Sequence, residues 1–319
     1  MKRSLFILIL SVFFVSCTVE PQNSRSTTTP SPSPTQAARA EPSPSPSPSP
    51  AMLSGPNAVP DDTRVVVNIP AFRMDVFQDG SLVKSYRVGI GTPEFPLPQG
   101  LRTADTVIFN PTWTVPDEEW AAEMNNVKVG ETVEAGSKNN PLGWIKIPIG
   151  LPSLIHGGKA PAKIGTFASH GCVGLTNPQI KDFAMRLAQV SGTDLNEAEV
   201  DEYLQVKTQT KDVKLKETIP VELRYETIVV EDGKLHIYKD VYEQNTNTEE
   251  NLRSVLSKHG VNFEDLPPPK QTELLNSLKS VAKKKEVTLD IPAVQKGYPG
   301  PVELDTGKAK QTRMAATNH

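Results

Sequence analysis

Apolar and polar residues alternate through much of the chain between residues 64 and 243, the period of strands with one buried face. Val65, Val66, Val67 and Ile69 open the pattern, and Phe72, Met74 and Val76 then alternate with Arg73 and Asp75. Asp79-Gly80 predicts a tight hairpin turn, with Leu82 to Ile90 as the returning strand. Thr92 to Gly100 carries Pro93, Pro96 and Pro98 and reads as a loop. Thr106 to Phe109 predicts another strand, as do the alternations at Ile145, Ile147 and Ile149 and at Ile219, Val221, Leu223 and Tyr225. Ile228–Val230, a turn at Asp232-Gly233 and Leu235–Tyr238 predict a closing hairpin. Other stretches change to the helical period. Asp117 to Met124 predicts a short helix capped by Asp117. Asn177 as a cap and Pro178 in the first turn predict a helix start, and Ile180, Phe183, Ala184 and Leu187 then share one face. Leu252, Val255 and Leu256, then Leu274, Leu275, Leu278 and Val281, outline two further helices. The expected fold class is mainly β, a β-rich α+β domain over 64–243 with a few short helices. A small helical accessory segment over 244–285 and a polar, poorly ordered tail over 286–319 complete the expected chain.

The first 63 residues follow neither period. Lys2 and Arg3 precede an apolar run from Leu5 to Val15, too short to span a bilayer core and suited to the central part of a signal peptide over residues 1–16. The run ends at Val15-Ser16-Cys17, which resembles a bacterial lipobox, the signal in which the Cys becomes the mature N-terminus and carries lipid. Cys17 is therefore the expected lipidation site, giving a membrane anchor and an envelope location. Residues 17–63 then read as a solvated tether, because 11 of the chain's 29 prolines fall between 18 and 63 and no aromatic residue does. At about 3.1 Å per residue such a segment reaches at most about 140 Å.

Charge narrows the function classes. The net charge is −3, and loss of Lys2 and Arg3 with the leader would leave −5, which argues against a nucleic-acid partner. Two cysteines, Cys17 and Cys172, cannot make a disulfide scaffold. If Cys17 carries lipid, Cys172 is a lone thiol, a candidate nucleophile that needs a nearby imidazole or positive dipole to become a thiolate. His156 and His170 are the neighbouring imidazoles, in Ile155-His156-Gly157-Gly158 and Ser169-His170-Gly171-Cys172. Gly171 allows close backbone approach, and the amides around Gly171 and Cys172 are candidate oxyanion donors. Two other readings compete: Cys172 as a small buried hydrophobe, and a zinc site from Cys172, His156 and His170 that lacks a fourth protein ligand.

His156-Gly157 followed after twelve residues by Ser169-His170-Gly171-Cys172 resembles the signature of the L,D-transpeptidases, the YkuD or ErfK group. Gly89-Ile90-Gly91-Thr92-Pro93, Tyr225-Glu226-Thr227 and Asp240-Val241-Tyr242 extend the likeness over about 64–243. The resemblance implies an L,D-transpeptidase-like β-sandwich and cysteine acyl transfer on peptidoglycan stem peptides, with neither metal nor organic cofactor. Cys172 is then the nucleophile and His156 its base, with the Gly157 carbonyl orienting the imidazole. Ser169 and His170 shape the site, and His170 with Gly171 borders the oxyanion. The bond attacked joins meso-diaminopimelate to the terminal D-Ala of a tetrapeptide, and an acceptor amine resolves the thioester. One position departs from the family pattern. A polar residue, often Arg, usually stands two places after the Cys, and here Gly174 does. Arg102 and Lys163 are candidates to supply the missing cation.

Three functions follow from these residues. The first is the anchored transpeptidase. The second is an L,D-carboxypeptidase or amidase, in which water resolves the acyl-enzyme. The third is a peptidoglycan-binding lipoprotein without turnover. The three tryptophans, Trp113, Trp120 and Trp144, are expected either in the core or along a groove for glycan or peptide.

Overall fold

The computed structural model describes residues 57–308. The expected signal peptide, Cys17 and most of the expected tether lie outside the described residues.

Strands β1 (Arg64–Asn68), β2 (Arg73–Gln78) and β3 (Ser81–Arg87) form where the β-branched and aromatic residues alternate. The β2–β3 turn has Asp79 at φ 49° and Gly80 at φ 75°, the left-handed pair that matches the twist of a two-residue hairpin. A short β4 (Ile90–Gly91) precedes the Pro-rich loop, and β5 (Gly100–Phe109) follows it. A small lobe comes next, in which β6 (Trp113–Thr114) pairs with β7 (Thr132–Val133) around α1 (Glu119–Ala122). Trp113, Val115, Ala121, Val133 and Leu142 give the lobe its own core. Asp117 does not cap α1. The cap position is Glu118 and no side chain closes it, so this single turn rests on the packing of Ala121.

The chain then runs through β8 (Ile145–Pro148), β9 (Leu154–His156), β10 (Phe167–Ser169) and β11 (Val173–Gly174) into α2 (Asn177–Val190) and α3 (Glu197–Gln205). Helix α2 buries Ile180, Phe183, Ala184 and Leu187, as the spacing predicts. Its cap is Thr176 rather than Asn177. Thr176 Oγ1 accepts the Gln179 N–H at 3.3 Å, and Gln179 Oε1 accepts the Thr176 N–H at 3.0 Å. This reciprocal box leaves the Asn177 side chain free to act elsewhere. β12 (Lys211–Arg224) holds the largest sheet together, pairing antiparallel with β5 and parallel with β1. That sheet has eight strands in the order β11-β9-β8-β5-β12-β1-β2-β3. The fold class is thus mainly β.

A second core lies beyond β12. The hairpin of β13 (Ile228–Glu231) and β14 (Lys234–Tyr238) turns Ile228, Val230, Leu235 and Ile237 toward α4 (Glu249–Lys258) and α5 (Pro268–Ser280). β15 (Glu286–Asp290) completes this sheet on β14, with Leu235 opposite Leu289 and Ile237 opposite Val287. Residues 286–308 are therefore not a poorly ordered tail. Val287 and Leu289 alternate with Glu286, Thr288 and Asp290, so a half-buried edge strand hides inside a polar composition. Tyr298, 4% exposed, then packs on Phe77 and hydrogen-bonds Asp75 Oδ2 at 3.2 Å. The boundary expected at 243 and 244 thus cuts through one packed unit. The end of the expected tether is also part of the fold. The Asn57 N–H donates to Glu226 Oε1 at 2.7 Å, and Arg224 Nη1 donates to the Ala58 carbonyl at 2.8 Å.

A chain ending at Lys285 tests the role of the last strand. It loses the buried Leu289, Ile291 and Tyr298, each worth about 1.5–3 kcal/mol of burial. Its thermal midpoint, read by circular dichroism, is expected to fall by about 10 °C or more, at about 2–4 °C per kcal/mol for a domain of this size.

Candidate active site

The parallel pairing of β9 with β11 sets Val173 opposite Ile155 and Gly174 opposite His156. Ile155 and Val173 are both 0% exposed in the core, so the residues on either side of them face away from it. Leu154 and His156 on β9, and Cys172 just before β11, thus share one face. The register sets the thiol and the imidazole on adjacent strands, offset by two residues. Both line a cavity of about 510 Å³.

The His156 backbone is fixed on both sides. The Leu175 N–H donates to its carbonyl at 2.8 Å, and the Gly157 N–H donates to the Ile145 carbonyl at 3.1 Å. Its ring is 3% exposed, with Nδ1 2.8 Å from the Gly157 carbonyl oxygen. A carbonyl only accepts, so the neutral ring carries its proton on Nδ1 and keeps Nε2 as the basic nitrogen. Burial, then the charge of Lys159, push His156 down to about 3, against a smaller opposite pull from the Gly157 and Leu142 carbonyls. Burial also pushes the Cys172 thiol up, while a Leu154 backbone hydrogen bond and the Lys159 charge pull it partly back. The resting pair is therefore a thiol and a neutral imidazole. Among the described residues no hydrogen bond joins Sγ to the ring.

Ser169 ties the loop that carries Cys172. Its hydroxyl donates to the Cys172 carbonyl at 2.6 Å and accepts the Cys172 N–H at 3.2 Å. That engages the Cys172 amide, which the sequence offered as an oxyanion donor. The His170 and Gly171 amides meet no protein acceptor among the described residues. Gly171 has φ 87°, and its carbonyl accepts from Ser153 Oγ at 2.9 Å. The His170 ring forms a wall of the cavity, stacked on Trp120 at 4.1 Å and 1°, with Phe95 edge-on at 5.2 Å. The tryptophans divide between the two expected roles. Trp120 lines this cavity, Trp113 belongs largely to the lobe core, and Trp144 is 40% exposed beside a separate cavity of about 290 Å³.

Two residues matter here that sequence reasoning did not place. Asn177 Oδ1 accepts the Trp144 N–H at 3.0 Å and the Gly158 N–H at 2.9 Å, holding the segments on either side of His156. A Cβ at Gly157 would come within 2.7 Å of that oxygen and of Ile180 Cγ2, so the strand end lies flush on α2 only because residue 157 is glycine. The second residue is Lys159, whose N–H donates to the Leu175 carbonyl at 3.0 Å. Its stem fills the volume beside Gly174, where a Cβ would sit 2.8 Å from Lys159 Cγ and Cε. Lys159 lines the cavity, whereas Arg102 and Lys163, the cations considered from the sequence, do not. No string motif marks Lys159. Its only signal is the empty position at Gly174, which leaves room for a neighbour. No group of three or more His, Cys, Asp or Glu side chains that could hold a metal ion occurs among the described residues.

A thiol and an oriented imidazole thus line one aromatic-walled cavity on a mainly-β scaffold. Residues 62–211 match the YkuD family, the L,D-transpeptidase catalytic domain. The chain is 33% identical over 130 residues to the probable L,D-transpeptidase ErfK/SrfK of Escherichia coli, covering 39% of this chain and 41% of that protein. It is 27% identical over 132 residues to the putative L,D-transpeptidase YqjB of Bacillus subtilis, covering 40% of this chain and 66% of that one. The chain thus spans about two-fifths of the Escherichia coli relative. Among solved structures, the catalytic domain of an E. faecium L,D-transpeptidase overlaps 52% of this chain and all of its own, at 17% identity and TM-score 0.33. An L,D-transpeptidase from Mycobacterium smegmatis overlaps 51% of this chain and 58% of its own, at 18% identity and TM-score 0.30.

The pKa directions give a pH test. Alkylation of Cys172 by iodoacetamide, followed by mass spectrometry, is expected to rise with pH through a midpoint above the ordinary thiol value. No separate step near pH 6.5 is expected, because His156 titrates at about 3. A plateau of fast alkylation at pH 5–7 would instead mean a thiolate–imidazolium pair.

Proposed function

We propose that the protein is an L,D-transpeptidase acting on peptidoglycan stem peptides, with Cys172 as nucleophile and His156 as base. The observation that carries this reading is the placement of Cys172 and His156 on one sheet face in one cavity. The match of residues 62–211 to the transpeptidase catalytic domain supports it. The neutral His156 takes the thiol proton on Nε2 as Sγ attacks the carbonyl carbon between meso-diaminopimelate and D-Ala. The thioester forms, and the D-Ala amine leaves with the proton returned by His156. An acceptor amine then attacks the thioester, gives its proton to His156, and restores the thiol. Splitting the exchange into two acyl transfers replaces one difficult step by two easier ones. The unpartnered amides of His170 and Gly171 are the donors for the developing oxyanion. Ser169 keeps the loop in the shape that exposes them.

Domain roles and location belong to the same proposal. The eight-stranded sheet and α2 carry the chemistry, and the layer of β13–β15 with α4 and α5 is an accessory packed in the same unit. Residues 1–16 are a leader, and Cys17 anchors the protein by lipid to an envelope membrane. No helix among the described residues is long and apolar enough to cross a membrane. Radiolabelled palmitate in growing cells is expected to label the protein, and Cys17→Ser to abolish the label.

The reaction is tested with purified disaccharide-tetrapeptide and the chain from about residue 52, with products read by mass spectrometry. A crosslinked dimer lacking one D-Ala is expected, and its absence from Cys172→Ala and at least a hundredfold loss in His156→Gln are expected with it. Tripeptide alone would make the enzyme an L,D-carboxypeptidase. No Cys172-dependent product would sink both and leave a binding protein.

A further inference from the structure

We propose that Lys159 is the carboxylate-binding residue of this cavity, its ammonium holding a free carboxylate of the donor peptide beside Cys172. The inference rests on the transpeptidase reading for the identity of the donor, but not for the existence of the anion subsite.

The argument is one of volume and charge. Gly174 lies opposite His156 in the strand register and leaves the space beside that pair empty. The Lys159 stem enters this space, with Cγ and Cε against the position a side chain at 174 would claim. Its backbone N–H is held by the Leu175 carbonyl, so the stem starts from a fixed point. Lys159 lines both the reactive cavity and a second cavity of about 990 Å³. Among the described residues Lys159 makes no ion pair and no side-chain hydrogen bond. On the side of the reactive cavity its titratable neighbours are Cys172, His156, His170 and Lys163, none of them a carboxylate; Asp182, Glu303 and Asp305, with Lys84 and Lys308, line the second cavity, and none of the three carboxylates pairs with it. Burial without an anion disfavours its charge. A cation kept desolvated, unpaired and facing a substrate cavity favours an incoming anion over a neutral group. Lysine acts here as a point charge, so it can accept a carboxylate without the bidentate geometry an arginine imposes. A tetrapeptide donor offers two carboxylates, the D-Ala terminus and the diaminopimelate side chain, and the subsite suits the chemistry of either.

The first test needs no turnover. Alkylation of Cys172 is measured with anionic iodoacetate and neutral iodoacetamide, and the rate ratio is compared with that of free cysteine. Changes in thiolate content cancel in the ratio. The native protein is expected to favour iodoacetate by about tenfold relative to free cysteine, the size of one charge contact in a partly screened site. Lys159→Met and Lys159→Gln are expected to remove that preference. A native ratio equal to that of free cysteine overturns the proposal, whatever the variants do. The second test uses donors amidated at one carboxylate or the other. Lys159→Met is expected to raise KM for the free-acid donor about tenfold with kcat little changed. Amidation of the carboxylate that Lys159 holds abolishes this difference and so names it. An unchanged KM for the free-acid donor overturns the donor assignment. An anion preference in the first test, with no turnover of any donor by the native protein, keeps the subsite and discards the transpeptidase reading.

Discussion

The parallel register between β9 and β11 is the constraint on which the site depends. A strand's side chains alternate, so a slip of one residue would send His156 into the core and bring Ile155 out. The register is fixed because Ile155 and Val173 are fully buried and cannot exchange places with an imidazole. It is reinforced from outside the sheet. The Gly89 and Gly174 amides exchange hydrogen bonds with each other's carbonyls at 2.8 Å, and Asn177 holds the backbone beyond His156. Helix α2 contributes twice, since its apolar face covers the sheet and its first residue ties down the strand end. Packing and chemistry are therefore specified by the same few residues.

That arrangement has an electrostatic consequence. Water is the usual stabiliser of an imidazolium or a thiolate, and at 3% exposure the His156 ring has almost none. Its polar neighbours of suitable charge sense are the Gly157 and Leu142 carbonyls, which supply no counter-charge. The nearest full charge, on Lys159, opposes protonation of His156 and favours ionisation of Cys172. The two effects point the same way for a base that must be neutral before it can accept a proton. Burial outweighs the Lys159 charge at Cys172 and keeps the resting thiol protonated, which protects it from oxidation.

How much of this could be read from the chain depends on the range of the interaction. The β1–β3 strands, the Asp79-Gly80 turn, the buried stripe of α2 and the β13–β14 hairpin are local patterns, and the alternation or spacing carries them fully. The grouping of His156, Ser169, His170 and Cys172 is legible from the likeness to the L,D-transpeptidase signature, since twelve residues separate His156 from Ser169 and only the pairing of β9 with β11 brings them together. The α2 cap was misread by one residue because Asn177 and Thr176 are both good caps, and Gln179 at the third position decides for Thr176. β15 was missed because Glu286, Thr288 and Asp290 outweigh Val287 and Leu289 in composition, although the period-two pattern was present. Nothing local could show that the amide of Cys172 is engaged by Ser169, or that Asn177 reaches Trp144.

Gly174 shows why a motif is better read as a volume than as a string. By position, glycine removes a functional side chain and suggests a weakened site. In three dimensions it admits the stem of Lys159 from the next segment, and a Cβ there would collide with that stem. The two residues are therefore alternatives for one space, and the loss at 174 and the cation at 159 belong to a single solution. Arg102 does not line this cavity, whereas Lys159 does. The constraint that admits Lys159 is the same β9–β11 pairing that faces Gly174 toward His156. Lys159, Cys172 and His156 are thus set by one register, and a change at any of the three positions is felt by the other two.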